Sequence, residues 1–178
     1  MSGLHQRVLL APTDGSLGPL LRVSDDRLDP GAGYGRHSHR AVDVVAVVLA
    51  GSLRHRWGDD VCLRAGDVAV LRAGAGLDHD EVAGDDGARV LQCYLRAADP
   101  GAAPSHQVVS APTGWIDLGR ADARLWLGAA GEGRDLPAGL RLLVTPAGTD
   151  VADAPPLSGE ATVLVWQLDD DRPAWARD

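Results

Sequence analysis

Short apolar runs separated by turn-forming residues are the feature that most limits how this chain can fold. Clusters of glycine, proline and aspartate recur at intervals of about 8–12 residues, and no long apolar stripe with the 3.6-residue period of a helix appears. Residues 41–50 are almost all valine, alanine and leucine, which predicts a strand buried on both faces that ends at Gly51. From Leu53 to Trp57 apolar or aromatic residues alternate with arginines, which predicts a hairpin partner with one solvated face. The sequence therefore predicts an all-β protein.

The strand-like segments fall into two groups on either side of residues 98–104, a stretch rich in alanine, proline and glycine. We therefore predict an N-terminal domain over residues 1–97 and a shorter C-terminal half over residues 98–178. Only His106 could supply a nitrogen ligand in the C-terminal half, so this half is predicted to lack a metal site. Its tryptophans are expected to serve packing; they are Trp115, Trp126, Trp166 and Trp175.

The acidic character of the chain limits its partners. It has a formal net charge of -8 and a pI near 5.1, and its 17 basic residues, all arginine, form no cluster. Direct nucleic-acid binding, which needs clustered basic groups, is therefore not expected. No stretch approaches the roughly 20 apolar residues of a membrane span, and the first residues lack the pattern of a secretory signal, so we expect a cytoplasmic protein without membrane association. Cys62 and Cys93 lie in apolar runs and are expected to be small buried side chains.

Two short segments, His37-Ser38-His39 and His79-Asp80-Glu81, each place two potential metal ligands two residues apart. In an extended strand such residues project to the same side, so four ligand atoms could converge on one ion. Glu81 is one of only 3 glutamates against 22 aspartates, which suggests that its longer side chain is needed there. Neutral imidazoles and a carboxylate suit divalent Fe, Ni, Cu, Mn or Zn.

The remaining histidines are expected to be secondary. His55 alternates with Leu53 and Trp57, which favours a core histidine satisfied by the backbone over one that lines a cavity near the ion. His5 and His106 have no companion in the sequence and are expected at the surface. Asp43 is expected to support the site by orienting an imidazole rather than to bind the ion.

The residues around both segments resemble the motifs of the pirin family within the cupin superfamily. Pirin-like proteins carry His-Pro-His-Arg-Gly, then a glycine followed by His-Arg-Asp-Ser, and later Gly-x-x-His-x-Glu. The corresponding segments here are 37–41, Gly51 with 55–57, and 76–81, and Gly66-Asp67 fits the turn before the last motif. Ser38, Ala41 and Asp43 depart from the family pattern, but none is a ligand position in it.

The resemblance implies a cupin fold, a jelly-roll barrel also described as a double-stranded β-helix, in a bicupin whose second barrel is degenerate. It further implies one divalent metal ion, with Fe(II) expected first, bound by His37, His39, His79 and Glu81.

Two functional classes follow from the resemblance. Some pirin-like proteins open the flavonol quercetin with dioxygen, in which case Glu81 would take a proton from the substrate hydroxyl and its pKa should be raised by burial. Others are redox-sensing regulators of protein partners. The sequence leaves both alternatives open: a metal-dependent quercetin 2,3-dioxygenase with a small aromatic substrate, or a non-catalytic metal sensor.

Overall fold

The computed structural model describes residues 3–131, 135–152 and 161–169, and within them every regular element is a β-strand. The prediction of an all-β protein is therefore confirmed, and the described residues contain no helix that could span a membrane. Contacts divide the chain into two compact units, one of residues 1–11 and 20–111 and another of residues 12–19 and 112–178.

The first unit consists of eight antiparallel strands. They are β1 (Leu4–Leu10), β2 (Leu20–Leu28), β3 (His37–His39), β4 (Val42–Trp57), β5 (Asp59–Arg64), β6 (Val68–Arg72), β7 (Leu77–Arg96) and β8 (Ser105–Val109). The sheet runs in the order β1-β2-β7-β4-β6-β8, while β3 pairs with β7 and β5 pairs with β4. The long strands β4 and β7 therefore form the centre of this unit.

Strand β4 continues through Gly51 instead of ending there, which corrects the sequence prediction. The register between β4 and β7 shifts on both sides of this glycine, between Val48 and Ala50 and between Gly51 and Leu53. Gly51 has a φ of 68° and lies against the Gly87 carbonyl, a conformation and a contact that disfavour any side chain. The strand thus bends at a bulge, and its second half carries His55 alongside β7.

The core of the first unit lies between the central strands. Val44 to Val48 are all buried, which confirms the prediction of a strand covered on both faces. A cluster of buried aliphatic residues contains Ala46, Val48, Leu53, Leu63, Ala69 and Val90. Burying a leucine or valine side chain stabilises a fold by about 1.5–3 kcal/mol, so this cluster fixes the strands that carry the histidines.

The segment expected to link two domains instead belongs to the first unit. Residues 98–104 connect β7 to β8, and the Ala102 carbonyl accepts a hydrogen bond from the Ala75 amide at 2.9 Å. Strand β8 then pairs with β6, which places His106 opposite Leu71. The first unit therefore extends past residue 97, because a strand following the turn completes its sheet.

The described part of the second unit contains one antiparallel sheet in the order β12-β11-β13-β10-β9. Its strands are β9 (Gly114–Ile116), β10 (Ala123–Ala129), β11 (Leu140–Val144), β12 (Thr149–Val151) and β13 (Thr162–Leu168). Trp166 is fully buried, as expected, whereas Trp115 is 44% exposed with the Arg124 guanidinium 4.7 Å from its ring centre. Trp126 is half-buried, and Trp175 lies outside the described residues.

The two cysteines differ in their environments. Cys93 is buried on β7, as predicted. Cys62 is exposed on β5, so the prediction of burial was wrong for this residue. It shares the solvated face of β5 with Arg64, whereas Leu63 between them points into the core.

Candidate metal centre

Antiparallel pairing of β3 with β7 brings the two predicted ligand segments together. His37 lies directly opposite His79, and His39 lies opposite Leu77. Since residues two apart share a face, His37, His39 and His79 point to one side, while the Ser38 hydroxyl donates to the Asp78 carboxylate on the other. The local fold is thus a short ladder that presents three imidazoles together.

The ring nitrogens of these histidines converge. His37 Nε2 lies 2.9 Å from His39 Nε2 and 2.9 Å from His79 Nε2. One ligand atom from each of the three residues falls in a group with all separations within 4.8 Å. His79 is buried and the other two are partly exposed, so the group is open on one side.

The hydrogen bonding of His37 directs its lone pair toward the centre of this cluster. His37 Nδ1 lies 2.7 Å from the Gly35 carbonyl, which can only accept, so Nδ1 carries the proton and Nε2 of the neutral ring carries the lone pair. Burial lowers the pKa of His79 to about 4 and, with the neighbouring charge of His37, also lowers the pKa of His39. Neutral imidazole nitrogens that converge in this way can together bind one cation.

The spacing of these nitrogens fits a divalent metal ion. Two nitrogens bound at right angles to one ion at about 2.1 Å lie about 3.0 Å apart. The observed separations of 2.9 Å match that value. Imidazole nitrogen suits Zn, Cu, Fe and Ni, so the donor set selects a borderline divalent metal without selecting one element.

Glu81 lies next to this group but engages other partners. It is 2% exposed, its Oε1 lies 2.6 Å from His55 Nε2, and Gln92 Nε2 donates to both carboxylate oxygens at 3.2 and 3.3 Å. The group of mutually close ligand atoms found among the described residues contains the three histidines and not this carboxylate. Ligation by Glu81 therefore stays a prediction, and Oε2, which has only the longer contact with Gln92, is the oxygen available for it.

The charge state of Glu81 differs from the expectation of a raised pKa. Burial by itself raises the pKa of this carboxyl, but the hydrogen bond and charge of His55, the charge of His79 and the Gln92 hydrogen bond together hold it below its ordinary value. Glu81 is therefore ionised at neutral pH, since buried hydrogen-bond donors favour its charged form.

His55 and His106 form a chain of hydrogen bonds behind Glu81. His55 Nδ1 lies 3.1 Å from His106 Nε2, and the two rings stack with centres 5.0 Å apart. Burial, followed by the charge of His55, lowers the pKa of His106 to about 4, so this ring is neutral. In a neutral arrangement His106 Nε2–H donates to His55 Nδ1, and His55 Nε2–H donates to Glu81.

These positions correct two sequence predictions. His55 is not a core histidine satisfied by the backbone, because both ring nitrogens contact side chains of the site. His106 is not a surface residue, because β8 carries it into the same sheet. His5 is exposed, as expected, and Asp43 is buried with its carboxylate accepting the Ala98 amide at 3.4 Å.

Further polar residues of the site were missed from the sequence. The Tyr34 hydroxyl donates to Asp26 Oδ2 at 2.9 Å, and Gln6 donates to the same oxygen at 3.1 Å. Asp26 is fully buried, and burial raises its pKa despite these hydrogen bonds. Gln92 did offer a signal, since it is a polar residue within the apolar run 90–95.

An aromatic and apolar surface lies beside the histidines. The Tyr94 ring centre is 5.7 Å from that of His39, and burial raises the pKa of Tyr94 to about 12, so its hydroxyl stays protonated. Tyr94 and Trp57 pack against a cluster of buried aliphatic residues, which are Val44, Leu71, Ala73 and Leu77. The arrangement can therefore hold a cation at the imidazoles and a flat apolar group next to it.

Comparison with known proteins relates the N-terminal part of this chain to one family. Residues 12–95 match the Pirin family model. Over 85 residues the chain is 33% identical to a putative quercetin 2,3-dioxygenase of Zymomonas mobilis, covering 46% of this chain and 36% of the relative. It is 30% identical to a pirin-like protein of Caulobacter vibrioides over 97 residues, covering 53% and 42% of the two chains. The matched segment thus spans about two fifths of the length of these relatives.

Solved structures extend the likeness to nearly the whole chain. A bacterial pirin of Escherichia coli, YhhW, solved in complex with nickel(II), superposes with a TM-score of 0.72 at 16% identity over 95% of this chain and 93% of that chain. A quercetin 2,3-dioxygenase of Acinetobacter baumannii gives a TM-score of 0.63 at 17% identity over 92% and 77%. These identities show the fold alone, and they confirm the expected cupin fold, whereas a reduced second barrel over residues 98–178 stays a prediction. Residues 12–95 thus match the Pirin family, and nearly the whole chain shares the fold of a solved bacterial pirin.

Proposed function

We propose that this protein is a metal-dependent dioxygenase that opens an aromatic substrate of the flavonol type. The observation that carries the proposal is the convergence of three imidazole nitrogens, with His37 Nε2 at 2.9 Å from the nitrogens of both His39 and His79, beside a buried carboxylate and an aromatic surface. The relatives named quercetin 2,3-dioxygenase support the substrate class, as does the pirin match.

In this proposal His37, His39 and His79 hold one divalent ion, Fe(II) in the cell, and Glu81 is the fourth ligand through Oε2. When bound, such an ion supplies Lewis-acid polarisation of a substrate oxygen and, for iron, redox chemistry with dioxygen. The burial of His79 keeps water from one side of the centre, whereas the partly exposed His37 and His39 leave the other side open to substrate.

Glu81 is the proposed base for the substrate hydroxyl. Because its pKa lies below the ordinary value, it is ionised and ready to accept a proton, but it is a weak base. It therefore suits an acidic hydroxyl, such as the enol of a flavonol, better than an aliphatic alcohol. His55 and Gln92 fix the carboxylate by hydrogen bonds at 2.6 to 3.3 Å, which keeps the receiving oxygen in place.

Elemental analysis combined with oxygen uptake tests this proposal. We expect about one metal ion per chain in freshly purified wild-type protein, and oxygen consumption when quercetin is added to the iron-loaded protein. His79→Ala should lose both, since it removes the buried donor of the cluster. His5→Ala is the matched control, because that histidine is exposed on β1 and should leave metal content and uptake unchanged.

The outcomes separate the functional classes. If the protein binds metal but consumes no oxygen with any flavonol tested, the dioxygenase proposal is overturned and the redox-sensing role is favoured. Absence of metal in wild-type protein, even after reconstitution, would refute the metal centre itself.

A further inference from the structure

Arginine 22 stands out as a half-buried cation beside the candidate site. It lies on β2 directly opposite Tyr94 of β7. Its Nε is buried and has no hydrogen-bond partner among residues 3–131, 135–152 and 161–169. A buried arginine nitrogen is normally hydrogen-bonded, so this Nε is a charge-assisted donor that a ligand of opposite charge could accept from.

The position of this charge relative to the histidines is defined by Tyr94. The Arg22 guanidinium carbon is 6.0 Å from the Tyr94 ring centre, and that ring centre is 5.7 Å from the His39 ring centre. The cation is therefore separated from the imidazole cluster by the width of one aromatic ring.

Two ordinary explanations for Arg22 are weak. The distance of 6.0 Å to the ring is at the outer limit for a cation–π contact. The charge of Asp26, four residues further on the same face of β2, interacts with that of Arg22, but neither carboxylate oxygen bonds to Arg22. Oδ2 accepts from Tyr34 and Gln6, and Oδ1 has no hydrogen-bond partner among the described residues. No ion pair joins Arg22 to an acid in the described part of the chain.

The surroundings of Arg22 suit a flat ligand with polar groups. Tyr94 offers a ring face backed by the aliphatic cluster around Leu71 and Leu77. Gln92, one position inward on the same face of β7, is 1% exposed and leaves its Oε1 without a partner among the described residues, so it could accept a hydrogen bond from a ligand hydroxyl. Cation, aromatic face and acceptor thus occur together next to the imidazoles.

We propose that Arg22 and Tyr94 form a subsite for the carboxylate of a hydroxylated aromatic acid, whose ring lies on Tyr94 and whose hydroxyl faces the histidine cluster. A guanidinium matches the planar carboxylate in shape and charge. This inference rests on the proposed function for the position of the reacting end and goes beyond it, since a flavonol carries no carboxylate: it adds aromatic acids to the ligands that the site would accept.

Binding measurements with a matched pair of probes test the subsite. The probes are 4-hydroxybenzoate and 4-hydroxybenzamide, which have nearly the same size and differ by one charge. Affinities are measured by ligand-observed NMR titration for zinc-loaded and for chelator-treated protein, without turnover. We expect the wild-type protein to bind the acid at least about tenfold more tightly than the amide, the ratio typical of one charge-assisted hydrogen bond.

Three variants make the result specific. Arg22→Gln should abolish the preference for the acid, and Arg22→Lys should keep part of it because the charge remains. Arg27→Gln is the control on the same strand, since Arg27 is exposed and lies on the opposite face of β2, and it should retain the full preference. Thermal unfolding verifies that each variant is folded.

Equal affinities of acid and amide in wild-type protein, or a preference that survives Arg22→Gln, would overturn the subsite. Because binding is measured without turnover, its failure is distinct from failure of the proposed dioxygenase. A preference that persists in protein inactive toward quercetin would support the subsite while refuting the flavonol reaction.

Discussion

Gly33 offers the sharpest test of how the backbone positions the candidate site. It forms an isolated bridge with Val82, and the next amide, of Tyr34, donates to the Glu81 carbonyl at 3.1 Å. A Cβ added at Gly33 would lie 2.5 Å from that same carbonyl oxygen and 3.2 Å from Val82 Cγ2. The clash would thus fall on the backbone of the residue predicted as fourth ligand.

The size of the effect of Gly33→Ala follows from these distances. Ordinary contact begins at 3.4 Å, so the Glu81 carbonyl must move by about 0.9 Å, which is 3.4 minus 2.5. Overpacking of this kind costs typically about 1–3 kcal/mol of the free energy of unfolding. Metal sites tolerate ligand displacements of only about 0.2 Å, and disturbed supporting contacts weaken metal binding by about 10–100-fold. For Gly33→Ala we therefore expect losses of this order in both the free energy of unfolding and the affinity for metal.

The assay is urea unfolding of chelator-treated protein, followed by zinc titration against a competing chelator. Gly84→Ala is the matched control on β7, because its Cβ would meet the Ser52 hydroxyl, a side-chain atom that can rotate away. We expect Gly84→Ala to change zinc affinity by less than about threefold. If Gly33→Ala were as stable and bound zinc as tightly as Gly84→Ala, the argument that this glycine is required by close backbone approach would be refuted.

Three further predictions follow from the buried residues. His55→Leu in metal-free protein should lower the free energy of unfolding by about 3–5 kcal/mol, because it leaves the Glu81 carboxylate buried with its main donor removed. His55→Gln keeps a donor and should cost less. Equal losses of the two variants in urea unfolding would contradict this prediction. Burial raises the pKa of Asp26, so the contribution of this carboxyl to stability is present below its ordinary pKa of 3.8 and is lost as pH rises through the folded-state pKa. Asp26→Asn should therefore stabilise the protein at about pH 7, with a gain that shrinks toward about pH 4. A gain independent of pH would refute the assignment of the raised pKa to Asp26. Leu53→Ala, at a fully buried position, should cost about 2–5 kcal/mol in thermal or urea unfolding, and a loss below about 1 kcal/mol would show that the bulged half of β4 is not anchored in the core.

Local pattern was sufficient to predict the strands and the first three candidate ligands. Alternation fixed which face His37 and His39 share, and the antiparallel ladder then placed them beside His79. The burial of residues 44–48 followed from an almost unbroken apolar run. These properties depend on neighbours in sequence, which is why they could be predicted from it.

Other features depended on pairings between distant residues. Gly51 has the residue type of a strand end, but only pairing with β7 makes it a bulge within one long strand. His106 has no companion in sequence, and only the pairing of β8 with β6 brings it to His55, 51 residues away. The lowered pKa of Glu81 likewise depends on donors from β4 and from a distant part of β7.

The sequence by itself thus determined an all-β chain with two ligand-bearing strand segments, because side-chain alternation and turn residues act over a few positions. Only the tertiary structure decided which groups surround those ligands: the His55–His106 pair behind Glu81, and Arg22 beside Tyr94. The physical reason is that register between strands far apart in sequence is set by burial of a shared core, so hydrogen-bond partners and local charge emerge only when the sheet has closed.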